Sequence, residues 1–248
     1  MRIEEGNGVR SSNPASNNPQ SETRNVMKRR WLALLILVFL PLTGVRAAPS
    51  YKVETIGACS DSGVPEAVRN ALQPQGIRVA GDSSPFCEVW LRKVLPQTAG
   101  STGASYSTLA NGTFVGVIVY RANATDYRGQ VVKPGTYTLR YQTIPQDGNH
   151  LGVSPSADFL LLVPAAADKN PDSLIEFQEL IRLSKQASGT NHPNPLYLTV
   201  PASAGAAVFR EAEAGHWALE AKTKAKPAGG GSETDFPLAI ILIGKAEG

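Results

Sequence analysis

The residues able to do chemistry in this chain are few and far apart. There are three histidines, His150, His192 and His216, and two cysteines, Cys59 and Cys87. No two histidines stand in an HExxH or HxH arrangement, so no single helix or strand presents a ready zinc pair. A metal site would have to be gathered from loop residues such as Asp147, His150 and Asp158, and Asp147-Gly148-Asn149 is itself a strong turn sequence. Ser154 sits in Gly-Val-Ser-Pro-Ser, where Ser156 replaces the second glycine of a nucleophile elbow and no helix follows. The sequence therefore predicts no catalytic residue, no metal site and no cofactor. Neither cysteine belongs to a CxxC motif. In an oxidising compartment an even count predicts a disulfide between Cys59 and Cys87, which would stabilise by roughly 3–4 kcal/mol in the chain-entropy model. The other reading is two separate buried thiols, which would leave free-thiol chemistry open.

One loop gathers polar groups. Residues 146–158 lie between two confident strands and bring Asp147, His150 and Asp158 into one segment. Loops on rigid scaffolds often carry function. Arg140 and Tyr127 could add a basic and an aromatic lining, although packing explains both more simply. These five residues are the candidate binding set. The expected function is a non-enzymatic binding or structural module of the cell envelope, or a secreted one, with an unknown envelope ligand or protein as partner. The alternative is an exported hydrolase or metal-dependent enzyme whose site is built from the 146–158 loop.

Export is read from the N-terminus. Lys28, Arg29 and Arg30 precede an unbroken apolar run, 31–40, and Val45-Arg46-Ala47 supplies a cleavage site, so 27–47 reads as a signal peptide. The run is too short for a spanning helix, which needs about 20 apolar residues, so no stable membrane anchor is expected after cleavage. An uncleaved anchor is the competing reading. Residues 1–26, rich in Asn, Ser, Pro and Gly, read as disordered or as a start assigned too far upstream. The remaining 49–248 is expected to form a single exported domain, periplasmic or secreted. The whole chain has 24 Lys+Arg and 21 Asp+Glu; residues 1–47 hold 7 and 3 of these, leaving 17 and 18. With the basic excess confined to the leader, no nucleic-acid partner is expected. Lys222, Lys224 and Lys226 alternate along one strand face and read as solvated.

The elements that must position these groups are mostly strands. Residues 113–121, Thr-Phe-Val-Gly-Val-Ile-Val-Tyr-Arg, are almost wholly apolar and predict a strand covered on both faces. In 136–143, Tyr137, Leu139 and Tyr141 alternate with Thr138, Arg140 and Gln142, which predicts a half-buried strand with its Tyr/Leu face inward. Further strands are expected at 51–56, 77–80, 86–95, 159–163, 196–200, 207–214, 216–224 and 236–243. Helices are expected after Pro65 and over 170–189, the latter with Leu174, Phe177 and Ile181 facing the core. The fold class is mainly β with minor α, an antiparallel two-layer sandwich of Ig-like or transthyretin-like kind with one or two packed helices.

The segment Val-Val-Lys-Pro-Gly-Thr-Tyr-Thr-Leu-Arg-Tyr, residues 131–141, resembles the PGxYxL hairpin of secreted bacterial β-sandwich modules, among them carboxypeptidase-regulatory-like and transthyretin-like domains and related families of unknown function. The resemblance covers these eleven residues, implies an extracytoplasmic sandwich with a β-hairpin at Pro134-Gly135, and implies no catalytic residue. The rest of the chain is about twice as long as those modules.

Overall fold

A strand with large side chains on one face and polar ones on the other has to be covered twice if both faces are buried, and that requirement organises this molecule. A computed structural model describes residues 51–81, 85–101, 103–127, 129–144, 156–203, 205–213 and 215–244. All of them lie in one compact unit, Ala47–Gly248.

The chain enters through β1 (Lys52–Ile56), α1 (Glu66–Ala71), β2 (Gly76–Ala80), β3 (Pro85–Leu91) and β4 (Val94–Gln97). It continues through β5 (Phe114–Tyr120), the short pair β6 (Ala124–Thr125) and β7 (Val131–Val132), β8 (Gly135–Thr143) and β9 (Asp158–Pro164). It ends with α2 (Phe177–Ser188), β10 (Pro195–Tyr197), β11 (Val208–Glu213), β12 (His216–Pro227) and β13 (Thr234–Ile243). Seven strands form the first sheet in the order β1-β2-β3-β5-β8-β9-β10, every neighbour antiparallel. In the second, β12 lies between β13 and β11, and β4 runs parallel to the last residues of β12. The protein is thus mainly β with minor α, an antiparallel sandwich with two α-helices among the described residues.

The two sheets share one core. Val89, Leu91, Ile118, Tyr120, Leu139, Tyr141, Leu160 and Leu162 from the first meet Leu219, Phe236, Leu238, Ile240 and Leu242 from the second. Leu139 is fully buried, as the alternation in β8 requires. The opposite face of the first sheet is covered too. Val64, Val68 and Leu72, around α1, pack on Trp90, Val117 and Val119. Leu180 and Leu183 of α2 pack on Phe159, Leu161 and Val163. With both faces covered, every residue of β5 is buried.

Four expectations need correction. The 86–95 stretch is two strands, because the chain leaves the first sheet after Leu91 and joins the second at Val94. The Lys133-Pro134-Gly135 turn does not close a hairpin: β7 pairs with β6, and β8 pairs with β5 and β9. The face of β8 carrying Thr138, Arg140 and Gln142 is buried rather than solvated. Finally, α2 begins at Phe177, and its buried side is Leu180, Leu183, Ser184 and Ala187, while Leu174 is 56% exposed. Residues 170–173 turn toward the sheet and are held there by arginines instead of starting the helix.

The sheets are joined at a seam. Beyond β10 the chain crosses to β13, with a bridge between Leu198 and Ile240 and a Thr199 N–H donating to the Ala239 carbonyl at 3.0 Å. The reciprocal bond is relayed. The Ala239 N–H donates to the Tyr106 hydroxyl at 2.9 Å, and that hydroxyl donates to the Thr199 carbonyl at 2.8 Å. Tyr106 sits in a short 3-10 turn, Tyr106–Thr108, and its phenol stands where the second ladder bond would be. Removing the oxygen leaves an N–H and a carbonyl without partners. Tyr106→Phe is expected to lower unfolding free energy by about 1–3 kcal/mol in urea denaturation, the cost of orphaning a buried polar group.

Candidate functional site

On the outer face of the first sheet, polar residues fall in one cross-strand row. Register sets Glu54 beside Arg78, Arg78 beside Glu88, Glu88 beside Val119 and Val119 beside Thr136. Directly opposed side chains on one face lie within contact distance, so opposite charges in such a row can pair. They do. Arg78 donates through Nε and Nη2 to Glu88 Oε1 at 2.9 and 2.7 Å, and its Nη1 lies 3.5 Å from Glu54 Oε2. Arg121, just past the end of β5, donates through Nη2 to Glu88 Oε2 at 3.0 Å.

The β1–α1 loop forms a wall over this row. Asp61 Oδ2 accepts from the Thr136 hydroxyl and Asp61 Oδ1 from the Gly63 N–H at 2.8 Å. The Trp90 indole donates to the Gly57 carbonyl at 2.8 Å, tying the wall to the floor. A side chain on Gly76 would run into that indole, its Cβ 2.4 Å from Nε1, so the neighbouring strand must carry glycine there. Wall and floor enclose an open cleft of about 600 Å³ lined by 56–58, 60–62, Arg78, Glu88, Trp90, Val119 and Arg121.

The charges in the cleft are locked. Burial pushes the Glu88 carboxyl up, but hydrogen bonds from Arg78 and Arg121 outweigh it and hold the group below the ordinary glutamate value. The Thr136 hydroxyl, then the Gly63 N–H, hold Asp61 below the ordinary aspartate value. The Glu88 hydrogen bonds raise Arg78. Elsewhere Glu220 is lowered in the same way: burial opposes, while the Ala202 N–H and Arg210 prevail.

Of the five residues singled out from sequence, the three that are described have separate partners within the protein. Asp147 and His150 lie outside the described residues. Asp158 begins β9 and accepts from the Tyr141 hydroxyl at 2.5 Å. Tyr127 is buried, its ring 5.0 Å from that of Tyr197 and 5.1 Å from that of His216. Arg140 has no exposure, and all its N–H groups are used inside the protein. Nε and Nη2 grip Asp168 at 2.7 and 2.5 Å, Nη1 donates to the Gly112 and Ser173 carbonyls, and Nη2 also donates to the Asn170 carbonyl. No donor remains for a ligand, so Arg140 is part of the scaffold and not of a binding site.

The expected disulfide is also corrected. Cys59 and Cys87 are buried free thiols. Cys87 packs in the core between the sheets, whereas Cys59 packs with Trp90 and α1 on the other side of the first sheet, so the sheet itself stands between them. Burial raises both thiols, which keeps them protonated and unreactive. No group of three or more His, Cys, Asp or Glu residues able to hold a metal ion occurs among the described residues. Also among them, no helix is long and apolar enough to cross a membrane.

Sequence reasoning missed the cleft, although a signal was present. Glu88 is the one charge in Pro-Phe-Cys-Glu-Val-Trp-Leu, and Arg78 the one charge in Gly-Ile-Arg-Val-Ala. Lone opposite charges inside two consecutive apolar strands predict a cross-strand pair. Comparison with protein-family models, with curated proteins and with solved structures gives no match for this chain.

The lowered carboxylates fix how stability responds to acid. A carboxyl lowered in the folded state contributes stability above its unfolded value, about 4.3 for Glu and 3.9 for Asp, and that contribution is lost as pH falls through the folded value. Unfolding free energy is expected to stay level from neutrality to about pH 5 and to decline below about pH 4.5. Glu88→Gln is expected to shallow that decline; urea melts across the pH series check it, and an unchanged acid limb would show that Glu88 is not linked to folding.

Proposed function

We propose that this chain is a non-enzymatic binding module, exported to the periplasm or secreted, that holds a small polar ligand in the cleft over the Arg78–Glu88–Arg121 row. The observation that carries the reading is the geometry of the charges there: Glu88 is gripped by Arg78 at 2.9 and 2.7 Å and by Arg121 at 3.0 Å, and Asp61 by Thr136 and the Gly63 N–H. General acid–base catalysis works best with a group whose pKa lies near the working pH. Glu88 and Asp61 are instead held low, and Arg78 is held high. Such groups keep fixed charge and fixed geometry, which suits recognition rather than proton transfer.

The scaffold supports the same reading. The floor is built on strands β2, β3 and β5, of which β5 is buried throughout, so its side chains are held more firmly than those of a free loop. The wall is pinned at Gly57 and Asp61 but presents Ser60 and Ser62 to solvent. A few polar groups fixed at precise positions in a concave site give a small ligand its orientation and specificity. The export part of the proposal rests on the charged and apolar leader at 28–47.

The reading is tested by recording amide NMR spectra of the protein with a panel of monosaccharides, sugar acids, amino acids and short peptides. At least one probe is expected to shift amides at 57–62, Arg78, Trp90 and Arg121 and to remain chemically unchanged. At one hundred times its dissociation constant, such a probe should add about 2.7 kcal/mol to unfolding free energy. Shifts confined to other regions, or conversion of a probe into product, would overturn it.

A further inference from the structure

The cleft has a surplus of donors. Each carboxylate oxygen in it already accepts a hydrogen bond. Glu88 Oε1 takes two from Arg78, Glu88 Oε2 takes one from Arg121, and the two oxygens of Asp61 serve the Gly63 N–H and the Thr136 hydroxyl. The indole N–H of Trp90 is likewise spent on the Gly57 carbonyl. The donors are not all spent. Arg121 gives only Nη2 to Glu88, leaving Nε and Nη1 with no acceptor among the described residues, and its side chain is 61% exposed. Ser60 and Ser62 stand exposed on the facing wall.

Exposure separates the charges further. The Glu88 side chain is only 7% exposed, behind the two guanidinium groups. Asp61 is half-buried and already holds two donors, and Glu54 is spent on Arg78, so the group at the mouth with open hydrogen-bond capacity is the guanidinium of Arg121. A guanidinium with open N–H groups recognises planar oxyanions, carboxylates above all; here the second Nη2 hydrogen, with the Nε or Nη1 hydrogen on the same edge, can meet both oxygens at once. A hydroxylated ligand would also use the serines.

We infer that the cleft binds a hydroxylated carboxylate, of the chemical class of sugar acids, with the carboxylate on Arg121 and the hydroxyls toward Ser60 and Ser62. This inference rests on the cleft being the binding site proposed above, and it adds the charge and class of the ligand. Arg78 stays with Glu88 in the bound state. Arg121 is the group that meets the ligand, while Glu88 holds one of its nitrogens and so orients it.

The test compares glucuronate, glucose and inorganic phosphate as probes, read by the side-chain Nε–H resonance of Arg121 and by calorimetry. The resonance is assigned by its loss in Arg121→Lys. Glucuronate is expected to shift it saturably, glucose to leave it unmoved, and phosphate to bind at least tenfold more weakly. Arg121→Ala is expected to weaken glucuronate binding at least tenfold while urea denaturation still shows a cooperative folded state, and Arg121→Lys, which keeps a charge beside Glu88, to weaken it as well. Ser60→Ala with Ser62→Ala is expected to weaken glucuronate binding while leaving acetate binding unchanged. Phosphate binding as tight as glucuronate would overturn the carboxylate assignment. Glucose binding that survives Arg121→Ala would overturn the anion assignment yet leave the cleft a binding site. Silence of the cleft amides to all three probes would overturn the inference, and silence to the whole wider panel would overturn the binding reading with it.

Discussion

A guanidinium and a carboxylate removed from water must satisfy each other and every remaining hydrogen, or the fold that buries them cannot persist. Arg140 and Asp168 are such a pair, with side-chain exposures of 0% and 2%. Asp168 also accepts from the Thr138 hydroxyl at 2.6 Å, and the Arg140 guanidinium lies over the Phe114 ring, 5.5 Å from its centre. The remaining arginine donors go to carbonyls of Gly112, Asn170 and Ser173. One side chain on β8 thus fixes both the segment leaving β9 and the loop entering β5. Arg92 reinforces it by gripping the Pro171 carbonyl and the Asp172 carboxylate of the same turn. Gly112 closes the contact. A Cβ there would stand 2.4 Å from the Ile175 carbonyl oxygen, and its φ of +83° also suits only glycine well.

The outer side of β8 is therefore a polar spine on which the covering layer hangs. Thr136 holds Asp61 and with it the wall of the cleft, Thr138 and Arg140 hold Asp168, and Asn111 reaches the Thr143 N–H at 3.1 Å. The apolar side of the same strand fills the core between the sheets. Core, covering layer and cleft are linked through alternate residues of one strand, so the rigidity of the cleft floor follows from the packing beneath it.

That division explains what the sequence could and could not disclose. Alternation in β8 correctly places Tyr137, Leu139 and Tyr141 inward, and the apolar run of β5 correctly indicates cover on both faces. The hairpin of β11 and β12 around Gly215 and the final strand are equally local and equally legible. The polar side of β8 is not, because Thr138 and Arg140 look solvated until Asp168, 30 and 28 residues further along the chain, reaches them and the turn at 170–173 closes over Arg140. The same turn explains the misplaced start of α2. Asn170 and Asp172 have the types that cap helices, but Asn170 Oδ1 accepts the Asp172 N–H in a turn while the backbone carbonyls face the arginines. The cysteines failed for a similar reason, since parity and compartment carry no information about which side of a sheet each thiol occupies. The 146–158 loop drew attention as a polar segment, whereas the cleft is assembled from four segments far apart in the chain, 56–62, Arg78, 88–90 and 119–121.

The central claim is that the Arg140–Asp168 pair holds the covering layer in place. Equilibrium urea denaturation of Arg140→Met, beside the parent protein, tests it most directly, because the methionine fills much of the volume while leaving Asp168 buried and unpaired. A loss of about 3–5 kcal/mol is expected, the cost of stranding one member of a buried ion pair. A loss below about 1 kcal/mol, the range of exposed pairs, would contradict the account.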